Sequence, residues 1–520
     1  MINNFNSIYD LFKHTALKQP KKVAIFTEKG KINYEKLLEY TNKIASYLQL
    51  HVKPGDNIGI FMENNWQYIV TTYAISAVGA TFVPISSTLK SKELSYILND
   101  ANIEFMFCSD SLRDIVSKSI AIHQCSKIIW VGNEQNRRDF ISILEQDISS
   151  TPRKVNLEDS AAIFYTSGTT GVPKGAILSN KNLLATYRAM TEHIKMRKSD
   201  RMGLYLPMHL SFSLLPLAIV PICHGASVVL TRFISPQHLL KTFALKRVTI
   251  LFATPAIHAK LVNVPNTLLM DLFCKIRYVV SGASPLNDEI AKKIQKKFKK
   301  AIFLEAYGLV EASTLVTANP VDKVKIGSVG VPLLDYQIKI IDSYELELPR
   351  RVIGEIIIKG DGVMKSYFNS SIDNPCSVHN GWLYTGDLGY LDDDGYLYIS
   401  GRKKDLIIYN AMHIYPREIE PIIDSFDGVK ESAVVAKKDK LYNEIPVAFI
   451  VQEEGSSINI DKLYQYLQGF LAKAKIPQEF IIVDELPRNA SGKVLKKALR
   501  EQINHPPTAT KLRVLTPLNE

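Results

Sequence analysis

Cysteine is sparse in this sequence, and what there is lies scattered. The five residues Cys108, Cys125, Cys223, Cys274 and Cys376 form no Cys-x-x-Cys pair and have no partnering histidine spacing. Neither a disulfide framework nor a zinc site is indicated, which suits a reducing cytosol, so a cytoplasmic location is expected. The first residues, Met1-Ile2-Asn3-Asn4-Phe5-Asn6, lack a basic segment followed by an apolar stretch, and no signal peptide is read there. Long apolar runs are missing too. The longest, Leu214 to Ile222, is interrupted by Pro216 and Pro221 and is too short to span a bilayer, so at most peripheral membrane contact is expected. No internal repeat is visible. The net charge of +11 is not accompanied by the aromatic-basic interleaving of an RNA-binding sheet. Its densest cluster, Lys292-Lys293, Lys296-Lys297 and Lys299-Lys300, alternates with Ile290, Ile294 and Phe298 at helical spacing. That pattern reads as the solvated face of an amphipathic helix, and no nucleic-acid partner is expected.

What remains is ordinary globular composition, 46% hydrophobic and 22% charged, over 520 residues. Such a length buries a large core and supports more than one folding unit. Up to about residue 300, apolar strand-like runs alternate with amphipathic helices. Lys22-Val23-Ala24-Ile25-Phe26 reads as a strand, Tyr34 to Leu48 as a helix, Asn57 to Met62 as a strand, Gln67 to Val78 as a helix and Ala80 to Pro84 as a strand. This rhythm predicts α/β layers. Between about 325 and 400, short strands with Gly and Asp turns predict a β-rich subdomain, and helix and strand return after Gly401. The expected organisation is a large lobe over 1–401 and a small, mobile α+β lobe over 402–520.

The most informative stretch is Tyr165-Thr166-Ser167-Gly168-Thr169-Thr170-Gly171-Val172-Pro173-Lys174-Gly175. It lies between the apolar segments Ala161 to Phe164 and Ala176 to Leu178, and so reads as a loop joining two buried strands. Its glycines permit unusual backbone angles, its hydroxyls and N–H groups offer dense donors, and Lys174 adds a cation. That chemistry suits a polyanion such as a triphosphate. A P-loop would need Gly-Lys-Ser/Thr after four residues, whereas here Pro173 precedes Lys174.

Four further segments follow in order: Ser281-Gly282-Ala283-Ser284-Pro285-Leu286, Glu305-Ala306-Tyr307-Gly308-Leu309-Val310-Glu311, Trp382-Leu383-Tyr384-Thr385-Gly386-Asp387, and Gly401-Arg402-Lys403-Lys404-Asp405. The set ends with Leu486-Pro487-Arg488-Asn489-Ala490-Ser491-Gly492-Lys493-Val494. Together, up to about residue 500, they resemble the adenylate-forming superfamily of acyl-CoA synthetases, peptide-synthetase adenylation domains and luciferases. The wording is most similar to that of bacterial medium- and long-chain fatty-acid CoA ligases. The resemblance implies that Thr166, Ser167, Gly168, Thr169, Thr170, Gly171 and Lys174 hold the ATP phosphates. Gly282, Ala283 and Ser284 would border adenine, with Ala306, Tyr307 and Gly308 beside them and Tyr307 stacked on the ring. Glu311 would hold Mg²⁺, a hard cation that takes oxygen ligands. Asp387 would accept both ribose hydroxyls, Arg402 would touch the nucleotide, Lys404 would be the hinge and Lys493 the catalytic lysine. Val310 and Ala306 stand where the family usually has Thr and Gly, which removes a hydroxyl near the α-phosphate and adds a methyl near the carboxylate site.

The implied activity is a two-step ligation using ATP, Mg²⁺ and CoA. A carboxylate attacks the α-phosphorus to give acyl-adenylate and pyrophosphate, and a thiol then displaces AMP. His209, Leu210 and Ser211, beside the apolar run Leu214 to Val220, are the expected acyl-pocket residues, with a medium- or long-chain fatty acid as the expected substrate. Asn410, Ala411 and Met412 are expected to line the thiol tunnel, Ala411 standing where such ligases normally place Gly. A stand-alone enzyme loading a carrier protein would share every one of these motifs. A non-catalytic nucleotide or acyl binder is the reading from another class, and it would not need Lys493.

Overall fold

Polar residues that begin the helices use their side chains where the backbone has no partner of its own. Ser7, Asn33, Asn65, Ser179 and Ser235 each accept a hydrogen bond from the N–H three residues on, satisfying donors that a first helical turn leaves open. The computed structural model describes residues 5–120, 125, 127–132, 139–167, 173–265, 273–284, 286, 288–369, 378–410, 412–488, 494–504 and 514–515.

The chain divides into two compact units, 1–338 with 357–384, and 339–356 with 385–520. The first holds two large sheets. One has nine strands in the order Val331–Pro332, Thr317–Ala318, Ile302–Tyr307, Tyr278–Ser281, Ile250–Ala253, Arg201–Leu204, Ser227–Leu230, Val23–Phe26 and Lys31–Asn33. Its central strands are parallel and its outermost ones antiparallel. The other has seven, in the order Ser366–Tyr367, Pro173–Ser179, Ser160–Ser167, Thr81–Pro84, Asn57–Phe61, Phe105–Ser109 and Lys127–Val131. Parallel strands need crossover connections, and helices such as Tyr34–Gln49, Trp66–Ala77 and Asn180–His193 provide the covering layers. The strands of the sheet centres are buried throughout, as in Tyr278–Ser281, Ile250–Ala253 and Thr81–Pro84.

A five-stranded sheet joins Tyr336–Ile341, Gly354–Gly360, Trp382–Leu391 and Val378–His379, with Leu397–Arg402 added to Trp382–Leu391. The second unit also carries a six-stranded sheet centred on Asn443–Gln452, which pairs with Val429–Asp439 and Glu479–Val483. The helices Pro416–Asp424 and Ile460–Gln468 supply Ile419, Ile423, Leu463 and Leu467 to its core. The fold is thus mixed α/β, with a large N-terminal part and a small C-terminal one, as the sequence patterns predict.

Two local expectations change. The described ends of the glycine- and hydroxyl-rich stretch are strand, while 168–172 lie outside the described residues: Ser160–Ser167 and Pro173–Ser179 form an antiparallel pair that places Thr166 opposite Lys174. Pro216 and Pro221 do not end the apolar tract either. Residues Leu214–Ile219 wind as wide π-type turns and run into the helix Val220–His224, buried from Leu214 to Cys223. Wider turns shift the hydrogen-bond register, so a proline that lacks an N–H is accommodated there.

Candidate active site

The strand pair around Thr166 and Lys174 is braced by aromatic side chains. Gly175 leaves room for them, because a Cβ there would lie 2.7 Å from Ile163 Cγ2 and 3.2 Å from the Tyr165 ring. Tyr165 donates to Asp100 at 2.5 Å and Tyr96 to the Pro173 carbonyl at 3.2 Å. Ser366–Tyr367 pairs antiparallel with the strand of Lys174, and the Phe368 N–H donates to the Gly175 carbonyl at 2.7 Å. This pairing sets the Lys174 ammonium 5.9 Å from the centre of the Tyr367 ring. The Tyr367 hydroxyl in turn donates to Glu311 Oε1 at 2.6 Å. Glu311 is buried in the short turn Val310–Ala312, where its carbonyl accepts from the Met364 N–H at 2.8 Å. A cation, a phenol and a carboxylate from three separate segments therefore converge. Ser167 ends its strand, while Gly168, Thr169, Thr170 and Gly171 lie outside the described residues.

The parallel strands Tyr278–Ser281 and Ile302–Tyr307 end side by side, Ser281 opposite Glu305. A Cβ on Gly282 would fall 2.9 Å from Phe212 Cε2 and 3.4 Å from the Ala306 carbonyl, so the turn, the ring and the second strand are in close contact. Ala283 follows in the left-handed region at φ +70°, a strain of the kind that collects at functional turns. Ser284 is partly exposed and Tyr307 half-buried. Gly308 is obligatory, because a Cβ would sit 1.7 Å from the Thr314 carbonyl oxygen. Ser313 and Thr314 both adopt positive φ, +53° and +87°, which is costly for a β-branched threonine. Among the described residues the buried hydroxyls of Ser281 and Thr314 make no hydrogen bond, which is unusual for buried polar atoms away from a ligand site.

Of the expected acyl residues, Leu210 is half-buried and Ser211 buried. Burial pushes the His209 imidazole down to about 4, so it is neutral at pH 7 and cannot act as a cation for an incoming carboxylate. The segment meets the Gly282 turn through Phe212, whose ring also packs edge-on against Phe252 at 5.8 Å. Sequence reasoning missed Phe212 and Tyr367. An aromatic directly after Ser211 was the one available signal for the first, and none marked the second. Ala306 lines a small apolar cavity with Met190, His193, Phe252, Val280 and Leu304.

In the second unit, Asp387 and Arg402 are cross-strand partners, and Arg402 Nε meets Asp387 Oδ1 at 2.8 Å. Asp387 is buried. Its N–H donates to Thr385 Oγ1 at 3.0 Å, and Thr385 donates to the Ile356 carbonyl at 2.7 Å. Gly386 takes φ +68°, and its N–H reaches Glu355, which also pairs with Lys403 at 2.8 Å. Burial lowers the Lys404 ammonium below its usual range, with Arg402 and Arg500 adding to the effect. Asn410 adopts φ +46° and its N–H donates to the Tyr442 carbonyl at 2.8 Å, while Met412 is exposed. Ala411 and Lys493 lie outside the described residues. The segments flanking Lys493 are joined, Arg488 bridging to Val494 and the Leu495 N–H donating to the Pro487 carbonyl at 2.7 Å.

The family model for AMP-binding enzymes matches residues 12–368, and that for the AMP-binding enzyme C-terminal domain matches residues 418–493. A 2-succinylbenzoate–CoA ligase of Geobacillus sp. (strain WCH70) is 30% identical over 96% of this chain and 98% of its own length. The ATP-bound structure of MatB from Rhodopseudomonas palustris superposes with a TM-score of 0.89 at 30% identity, covering 96% of this chain and 99% of that one. The o-succinylbenzoate CoA synthetase of Bacillus subtilis, solved with its acyl-adenylate intermediate, gives 0.83 at 28% identity over 94% and 97%. None of these names carries the fatty-acid substrate expected from the motif wording, and two of the three name an aryl acid.

Proposed function

The chain belongs to the AMP-binding enzyme family, and on that premise we propose that it is an AMP-forming acid–CoA ligase whose acid is an aryl carboxylate rather than a fatty acid. The convergence of Lys174, Tyr367 and Glu311 carries the reading. It sets a cation and a fixed carboxylate beside the segment whose hydroxyls and glycines suit a triphosphate, in a chain similar over nearly its whole length to acid–CoA ligases.

In the first step a carboxylate oxygen bonds to the α-phosphorus of ATP, and the bond to the bridging oxygen breaks to release pyrophosphate. Two anions meet, so positive charge is the main requirement. Lys174 serves the phosphates and Lys493 the carboxylate and α-phosphate; His209, held neutral, contributes at most one N–H. Glu311 would hold Mg²⁺, because a buried carboxylate fixed by one phenol hydrogen bond suits a hard cation with oxygen ligands, and that ion supplies charge neutralisation on the phosphates when bound. Tyr307 offers a flat face to adenine. Asp387, whose carboxylate is paired with Arg402, offers that carboxylate to the ribose. In the second step the CoA sulfur bonds to the acyl carbon and AMP leaves, the thiol proton passing to water. On this reading 1–401 is the nucleotide and acyl lobe, and 402–520 swings about Lys404 between the steps, in the cytoplasm.

The aryl choice is supported by the relatives and by the rings of Phe212 and Phe252 beside Gly282 and Ala306, a setting in which a flat acid gains edge-on contacts. Pyrophosphate release and CoA-thioester formation are measured across 2-succinylbenzoate, substituted benzoates, octanoate and palmitate. Release with an aryl acid followed by thioester is the expected result. Preference for octanoate over every aryl acid overturns the acid class, and no release with any acid overturns the ligase.

A further inference from the structure

The helix Lys496–Asn504 begins three residues after Lys493, and its surroundings hold it at several points. Lys496 pairs with Glu420 at 2.5 Å, and Arg488, before the lysine, pairs with Glu431. Asn504 accepts from the Lys438 N–H at 3.1 Å. These contacts fasten the described residues on either side of Lys493 to the helix Pro416–Asp424 and the strand Val429–Asp439. One further pair, as buried as Lys496 with Glu420, reaches a different element. Arg500 Nη1 meets Asp405 Oδ1 at 2.7 Å. Asp405 belongs to the short turn Lys403–Asp405 that follows Arg402 and contains Lys404.

We propose that Arg500 and Asp405 are a positioning pair that locks the hinge turn to the helix beside Lys493. The inference rests on the ligase reading, in which a swing about Lys404 delivers Lys493 to the phosphates. A rotation at the hinge moves the lysine faithfully only if turn and helix move as one body. Without the pair, part of the rotation is taken up between them and Lys493 arrives displaced. Misplacement by about 1 Å can cost on the order of 100-fold in rate, so a contact well away from the phosphates affects the chemical step. A largely buried ion pair contributes little net stability, so its use is geometric.

The test uses the full chain and ATP–pyrophosphate exchange with Asp405→Asn, Arg500→Met, the double variant and Arg500→Lys. Each single neutral variant is expected to lower kcat about tenfold or more with KM for ATP within about twofold. The double variant falls no further than either single, as for one shared interaction, and Arg500→Lys recovers most of the rate. Unchanged kcat, additive losses, or a loss confined to KM overturns the pairing. Amide hydrogen exchange gives a readout independent of activity. In Asp405→Asn the amides of 496–504 should exchange about tenfold faster while those of 443–452 do not change, and equal protection in both proteins overturns the coupling. Wild-type protein inactive with every acid sinks the ligase reading alone, and amide exchange then decides the coupling.

Discussion

Tyr367 donates its hydroxyl to Glu311 across 56 residues of sequence, at 2.6 Å and in a buried setting. The phenol keeps one carboxylate oxygen in place, and its ring lies beside the Lys174 ammonium. Tyr367→Phe keeps the ring and removes only the donor. A hydrogen bond to a charged group is worth about 1.5–3 kcal/mol, so KM for Mg-ATP should rise about tenfold while the fold persists. Pyrophosphate exchange at varied Mg-ATP checks this. An unchanged KM would mean that Glu311 needs no such fixing.

Gly308→Ala tests the close approach of two backbone segments. The new methyl would meet the Thr314 carbonyl at 1.7 Å, and a backbone atom cannot swing aside as a side-chain end can. Overpacking of this kind costs about 1–3 kcal/mol, and the upper end is expected. Chemical denaturation of the variant reads the loss, and ATP binding should weaken with it, since Ser313 and Thr314 lie just beyond Glu311, separated from it only by Ala312.

Much of this was legible in the sequence because its signals are local. The helix Tyr34–Gln49 and the strand Asn57–Phe61 lie within a residue or two of where apolar periodicity puts them. The motifs single out Asp387 and Arg402 as candidate site residues, yet not as each other's partner, because their pairing depends on strand register. Phe212 and Tyr367 were illegible for the same reason. One reaches Gly282 from a distant helical segment, and the other enters the site through a two-residue strand. The prolines of the Leu214–Ile222 tract looked like breaks because π-type turns have no simple periodic signature.

Asp424 gives a pH-dependent prediction. Burial raises its carboxyl to about 7, with Glu420 and Glu431 adding to the rise against a hydrogen bond from Ser432 at 2.7 Å. The folded state therefore holds a proton that the unfolded state releases near 4. This group's stabilisation is full below pH 4 and is lost as pH rises through 7. Asp424→Asn removes the titration, so its stability relative to wild type should increase between pH 5 and pH 8. The change should be about 1–2 kcal/mol, reduced from the full linkage because solvent reaches the group. Denaturant unfolding at the two pH values measures it, and a difference that does not vary with pH would show that the carboxyl titrates normally.

Lys493→Ala separates the two chemical steps. The attack of a carboxylate on the α-phosphorus develops negative charge where two anions meet, and a lysine there stabilises the transition state more than the ground state. Its loss should cost adenylation about 2.7–4 kcal/mol, comparable to removing an oxyanion donor, or roughly 10²–10³ in kcat. Displacement of AMP by the CoA thiol brings no second anion to the phosphorus, so thioester formation from supplied acyl-adenylate should fall far less. The two half-reactions are assayed separately, pyrophosphate exchange for the first and acyl-CoA yield from synthetic adenylate for the second. Equal loss in both would make the lysine structural. Loss confined to the first would also exclude a simple nucleotide binder, which has no step for that charge to assist.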